Sequence, residues 1–111
     1  MEVRFIESAR EAPRIPVPMD VVADFCRRHR VREFALFGSV LRDDFTPESD
    51  VDVLIDFLPQ TRVTFFDLSH LKDELEEMFH REVDLVTKRS LHPVIASDVL
   101  ASRQMLYVTP Q

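Results

Sequence analysis

Gly38 is the single glycine of the chain, and it directly follows the apolar run Phe34-Ala35-Leu36-Phe37. Four apolar residues in a row read as a strand buried on both faces. Residues 39 to 45 read as a short helix, so the glycine marks a strand-to-helix turn. A glycine there lets backbone approach an anion without interference from a Cβ. Ser39 then sits near a helix N-terminus, where free N–H groups and the helix dipole favour negative charge. An ordinary tight turn that needs a positive φ asks for the same residue. Gly38 alone does not decide between the two.

The rest of the chain fixes the layer pattern. Asp20 reads as an N-cap for a helix whose apolar stripe is Val21, Val22, Phe25 and Cys26, ending in Arg27-Arg28-His29-Arg30. Residues 46 to 49 are a loop by composition. Val51 to Phe57 is the clearest strand, with β-branched residues and alternating polarity. Phe65, Leu68, Leu71, Leu75, Met78 and Phe79 recur at helical spacing and predict a long helix over residues 64 to 80. Its other face carries Asp67, Asp73, Glu74, Glu76 and Glu77, either as a solvated surface or as a contact for a basic partner. Residues 83 to 86 form a third strand, and Ser90 is expected to cap a helix over residues 93 to 101, with Pro93 in its first turn. Residues 105 to 108 make a last strand at the edge. The expectation is one α/β layered domain, a small mixed sheet with helices packed on it, over residues 19–111. Residues 1–18 hold Pro13, Pro16 and Pro18 among charges and read as an N-terminal arm, with a short strand around residues 3 to 6.

Composition narrows the function. The 111 residues suffice for one core, and no apolar run approaches the roughly 18 residues that span a bilayer. The charged, proline-rich start lacks the apolar core of a signal peptide. The single Cys26 cannot form an internal disulfide, which fits a reducing cytoplasm. The four histidines show no zinc spacing. With 20 acidic against 14 basic side chains and a net charge of -6, the chain is poorly suited to grip a nucleic-acid backbone. A basic protein surface or a small cation suits it better as a partner.

Asp50 and Asp52 stand two apart on a strand. Their side chains project from one face, with Cβ atoms roughly 6–7 Å apart. Val51, Val53 and Ile55 face the core. Two carboxylates that close repel unless a cation lies between them, and hard oxygen ligands suit magnesium. A half-exposed strand with a wet face carries the same pattern. The pair becomes informative through Gly38-Ser39 about ten residues ahead of it.

The stretch GSVLRDDFTPESDVDVLIDF resembles the signature of the DNA polymerase beta-type nucleotidyltransferase superfamily. In that signature a strand leads to Gly-Ser and then, about ten residues on, to Asp-X-Asp on the next strand. The small size and single domain resemble the minimal nucleotidyltransferase branch, and the likeness covers residues 20 to 108. The resemblance implies that Gly38 and Ser39 bind the β- and γ-phosphates of ATP, and that Asp50 and Asp52 ligate two magnesium ions. The family's third carboxylate lies on a following strand. Asp84 matches that placement and would complete the metal site and help deprotonate the attacking hydroxyl. Glu82, on the same strand face, and Asp56 are further candidates. Arg42, three residues after Ser39, either reaches triphosphate oxygens or pairs with Asp43 or Asp44. Ser49 is expected to order its loop. Many relatives carry a glycine after the arginine, where this chain has Asp43.

Members of the minimal branch often act as antitoxins that attach AMP to a tyrosine of a HEPN-domain ribonuclease toxin. The resemblance therefore implies AMP transfer from ATP to a partner toxin, within a homo- or hetero-oligomer. Two other readings remain open: a binding module that neutralises a toxin by contact alone, and a small-molecule nucleotidyltransferase subunit. The intact Asp50, Asp52 and Asp84 set speaks against a pure scaffold.

Overall fold

A computed structural model describes residues 15–42 and 45–109. The strand expected near residues 3 to 6, Asp43 and Asp44 lie outside the described residues. The elements run α1 (Met19–Arg28), β1 (Val31–Phe37), a 3-10 turn (Gly38–Leu41) and β2 (Val51–Phe57). They continue with α2 (Phe65–Phe79), β3 (Val83–Thr87), a second 3-10 turn (Lys88–Ser90), α3 (Pro93–Ser102) and β4 (Gln104–Val108).

Among the described residues the strands form one mixed sheet in the order β3-β2-β1-β4. β1 pairs antiparallel with both β2 and β4, while β2 and β3 are parallel. A parallel neighbour requires a long crossover, and the 15-residue α2 supplies it. The expected edge position of the last strand is what the sheet shows.

The core lies on one face of the sheet. Val51, Val53 and Ile55 of β2 are fully buried, and they meet Val22, Phe25 and Cys26 of α1 and Leu71, Leu75 and Phe79 of α2. Phe25 meets Phe34 of β1 edge-on, with centroids 5.9 Å apart. Burial pushes the Cys26 thiol well above its ordinary range, so this cysteine is a packing residue rather than a nucleophile. On the other face β2 presents Asp52, Leu54 and Asp56.

α2 begins with a capping box. The Thr64 hydroxyl accepts from the Asp67 N–H at 3.1 Å, and the Thr64 N–H donates to the Asp67 carboxylate at 2.9 Å. It ends at His80 in the left-handed region, φ 58°. Its acidic face is largely committed within the molecule. Glu74 bonds to Arg28 and to His29 of the α1 C-terminus. Glu76 bonds to Lys72 and to the Val83 N–H.

Several local expectations shift. Pro18, not Asp20, occupies the cap position of α1, and Asp20 lies in the first turn, where it still complements the helix dipole. The buried face of α1 is centred on Val22, Phe25 and Cys26 and takes in Ala23, which leaves Val21 exposed at its margin. Phe65 shares the helical period of α2 yet is 90% exposed, because the core reaches only the turns from Leu68 onward. Ser90 does not cap α3. Its hydroxyl is engaged with the Thr87 carbonyl in a separate 3-10 turn, so His92 becomes the cap and accepts from the Val94 N–H at 3.1 Å. Of the helix expected over residues 39 to 45, the described residues show the 3-10 turn Gly38–Leu41, which Arg42 ends in extended backbone. Too short to build an appreciable macrodipole, it offers an anion individual N–H groups and the Ser39 hydroxyl.

Candidate active site

β1 delivers the chain to the turn at Gly38, whose φ is +76°. A side chain here would be strained by the backbone and blocked in space. A Cβ on Gly38 would lie 2.1 Å from Oδ2 of Asp52 and 3.1 Å from its Cγ. The glycine therefore does something that sequence reasoning missed: it makes room for the Asp52 carboxylate to lie against the turn. The nearest signal in the sequence was the expected positive φ.

Asp52 occupies β2 directly across from Phe37 on one side and Asp84 on the other. Parallel neighbours are about 4.8 Å apart, so the pairing with Asp84 sets two carboxylates on adjacent strands of one face. Asp50 is exposed and immediately precedes β2, one residue outside the strand in which it was expected to lie. The electrostatics of Asp52 register this gathering. Its carboxyl is pushed up to about 6, first by desolvation, then by the charges of Asp84 and Asp50, with Arg42 pulling the other way. Arg42 thus acts on Asp52 from the end of the 3-10 turn, where its backbone is extended and its N–H donates to the Ser39 carbonyl at 2.8 Å.

The alternative acids lie elsewhere. Asp56 is buried beside β1, where it accepts from Arg32 at 2.6 Å. Glu82 is exposed and favours the charged form of Lys72 of α2. Its carbonyl accepts from the Val51 N–H at 2.9 Å. Ser49 orders its loop as expected: its hydroxyl accepts from the Thr46 N–H at 3.0 Å and meets the Thr46 hydroxyl at 3.1 Å. Among the described residues no three His, Cys, Asp or Glu side chains are arranged to ligate a metal ion in common as they stand. Like-charged carboxylates favour rotamers that hold their oxygens apart, and the exposed Asp50 and Asp84 have room to turn. An open hollow of about 330 Å³, lined by Arg30, Phe57, Arg62 and His70, lies at the opposite end of β2.

This arrangement offers a half-desolvated carboxylate between two others, beside a tight turn with the Ser39 hydroxyl and an arginine. The family model described as "Nucleotidyltransferase domain" matches residues 19–106. The chain belongs to this nucleotidyltransferase family. Among relatives, it is 40% identical over 81 residues to the protein adenylyltransferase MntA of Thermococcus cleftensis, covering 73% of this chain and 78% of that protein. Two solved structures share the nucleotidyltransferase fold. A chain of a toxin–antitoxin complex with AMP-PNP superposes with a TM-score of 0.70 at 22% identity, covering 86% of this chain and 77% of that one. A chain from the complex of tri-AMPylated Shewanella oneidensis HEPN toxin with MNT antitoxin gives 0.61 at 22% identity, covering 82% and 70%. Among the described residues no helix is long and apolar enough to cross a membrane.

Proposed function

We propose that this nucleotidyltransferase transfers the AMP moiety of ATP to a hydroxyl of a partner protein, a tyrosine of a HEPN-type toxin, and so acts as its antitoxin. The observation that carries the chemistry is the Asp52 carboxyl, raised to about 6 between Asp84, Asp50 and the Gly38 turn. Such a group takes a proton or a cation readily, and the hard oxygen donors around it suit magnesium. The identity with a protein adenylyltransferase supports AMP as the group transferred. The fold shared with chains from complexes of toxin, antitoxin and ATP analogue supports the choice of partner.

In this reading Asp50, Asp52 and Asp84 hold two magnesium ions, and residues 19–111 form the catalytic unit with residues 1–18 as an arm. When bound, the metal pair supplies neutralisation of the triphosphate and acidification of the attacking hydroxyl. Gly38 and Ser39 donate backbone N–H groups, and Ser39 its hydroxyl, to the β- and γ-phosphate oxygens. Arg42 adds positive charge on the side of the departing pyrophosphate. Asp84 accepts the proton of the attacking hydroxyl. The oxygen–phosphorus bond to the acceptor forms as the bond from the α-phosphorus to the bridging oxygen breaks, and pyrophosphate leaves. The protein contributes position and charge. The setting is the cytoplasm, which supplies ATP and keeps Cys26 reduced.

The test is transfer of label from ATP carrying radioactive α-phosphate to a purified HEPN-type toxin, with magnesium, followed by mapping of the modified residue. A labelled tyrosine and loss of the toxin's ribonuclease activity are expected. Neutralisation without label, retained when Asp50 and Asp52 are both changed to Ala, would establish the contact-only reading instead.

A further inference from the structure

The proposed cation site depends on how the segment carrying Asp50 is held, and that segment is fastened from an unexpected place. Nη1 of Arg81, at the start of the β3 segment, faces three backbone carbonyls of the loop before β2. These are Thr46 O at 3.2 Å, Pro47 O at 3.4 Å and Ser49 O at 3.2 Å. The guanidinium carbon lies 4.7 Å from the centre of the Phe45 ring, and Phe45 itself packs against the core. Among the described residues, every polar contact of the Arg81 side chain is to this loop. A nitrogen with two hydrogens shared among three oxygens, over an aromatic face, is a clamp on backbone rather than an ion pair.

The clamp has a second arm. The next residue, Glu82, accepts the Val51 N–H through its carbonyl at 2.9 Å. Asp50 is therefore flanked on both sides, at Ser49 O and at Val51 N, by bonds to residues 81 and 82. Two residues further on, Asp84 stands in register with Asp52. Residues 81 to 84 thus tie the Asp50 loop, the Asp52 strand and Asp84 into one unit. The loop's own bonds, from Ser49 N–H to Thr46 O and from Thr46 N–H to the Ser49 hydroxyl, stiffen it internally but do not fix it to the sheet.

We propose that Arg81 is a positioning residue of the nucleotidyl-transfer site: it sets the location of Asp50 relative to Asp52 and Asp84, and thereby the affinity for the divalent cation. It touches neither substrate nor metal. The inference rests on the reading of the three carboxylates as the cation-holding set. Arginine suits the role because its planar guanidinium lies over the Phe45 ring while Nη1 reaches the carbonyls, a stacked geometry that a lysine cannot reproduce in full.

The test compares the full chain with Arg81→Ala, Arg81→Lys and, as a control at the other end of the molecule, Arg62→Ala. Binding of AMP-PNP is titrated calorimetrically across a manganese series, and hydrogen exchange is followed at residues 45–51. Arg81→Ala is expected to raise the manganese concentration for half-maximal nucleotide binding about tenfold or more, the usual effect of removing a group that orients a metal ligand. Saturating manganese should restore most of the binding, exchange at residues 46–51 should quicken, and Arg81→Lys should fall between. Arg62→Ala should match the unaltered chain. Unchanged manganese dependence and unchanged exchange in Arg81→Ala would overturn the inference, and Arg81→Lys decides if the alanine variant does not fold. If the unaltered chain binds AMP-PNP equally with and without manganese, the cation reading itself falls. Exchange at residues 45–51 then still shows whether Arg81 holds the loop.

Discussion

Asp52→Asn should stabilise the protein while abolishing its chemistry. The Asp52 carboxyl rises from an ordinary value of 3.8 to about 6 in the folded chain. The folded state therefore holds this proton more tightly than the unfolded state does. Between those two values the unfolded chain ionises first, so stability falls as pH rises through the window and stays lower above it. A shift of about two units corresponds to a ceiling of about 3 kcal/mol. Asp52 is only half-buried, and solvent screening reduces this to about 1 kcal/mol. For a domain of this size that amounts to a midpoint shift of about 4 °C. The assay is thermal unfolding of both proteins in EDTA from pH 4 to pH 8. At pH 4 the curves should nearly coincide, and the asparagine variant should gain progressively up to about pH 7. Added magnesium should then favour the unaltered protein and narrow or reverse the gap, since a cation replaces the missing neutralisation. A variant less stable than the parent at pH 8, or a difference independent of pH, would refute the argument that Asp52 is ionised at a cost.

Gly38→Ala places a residue at φ +76° with its Cβ 2.1 Å from Asp52 Oδ2, so the carboxylate must swing aside. A stability loss of about 1–2 kcal/mol in urea unfolding and a hundredfold or greater loss of transfer rate are expected, the first from backbone strain. A fully active alanine variant would contradict the contact. Asp84→Asn should lower turnover roughly a hundredfold while leaving nucleotide binding nearly intact, and Glu82→Gln should be close to silent in the same steady-state assay. The reverse outcome would make Glu82 the third acid. Asp56→Asn breaks the Arg32 pair at the other end of β2 and should cost about 1–3 kcal/mol in denaturant unfolding without changing turnover per folded molecule.

Among the proposed site residues, those whose placement depends on local pattern were legible in the sequence. Val51 to Phe57 is a strand because its β-branched residues alternate with polar ones, and its bounds in the structure coincide with that pattern. Thr64 and His80, at the ends of the expected long helix, are its cap positions. Asp84 was legible only as a family position. What singles it out from Glu82 and Asp56 is the register of β3 on β2, which sets Asp84 beside Asp52, together with the Arg32 pair that occupies Asp56. Arg81 gave no signal at all. Its acceptors are backbone carbonyls more than thirty residues away, and any residue type presents a carbonyl.

The sequence by itself determined the layer order, the turn at Gly38 and the alternation that puts Asp52 on the face opposite Val51 and Val53. These follow from torsional limits and side-chain period, which act over a few residues. The tertiary structure alone decided that Phe65 stays in solvent, that Glu74 bonds to the end of α1 and Glu76 to the start of β3, and that the Asp52 carboxylate fills the space a side chain on Gly38 would need. Those outcomes depend on which surfaces meet. Burial, desolvation and the repulsion between charges on different strands come into being only when the strands pair.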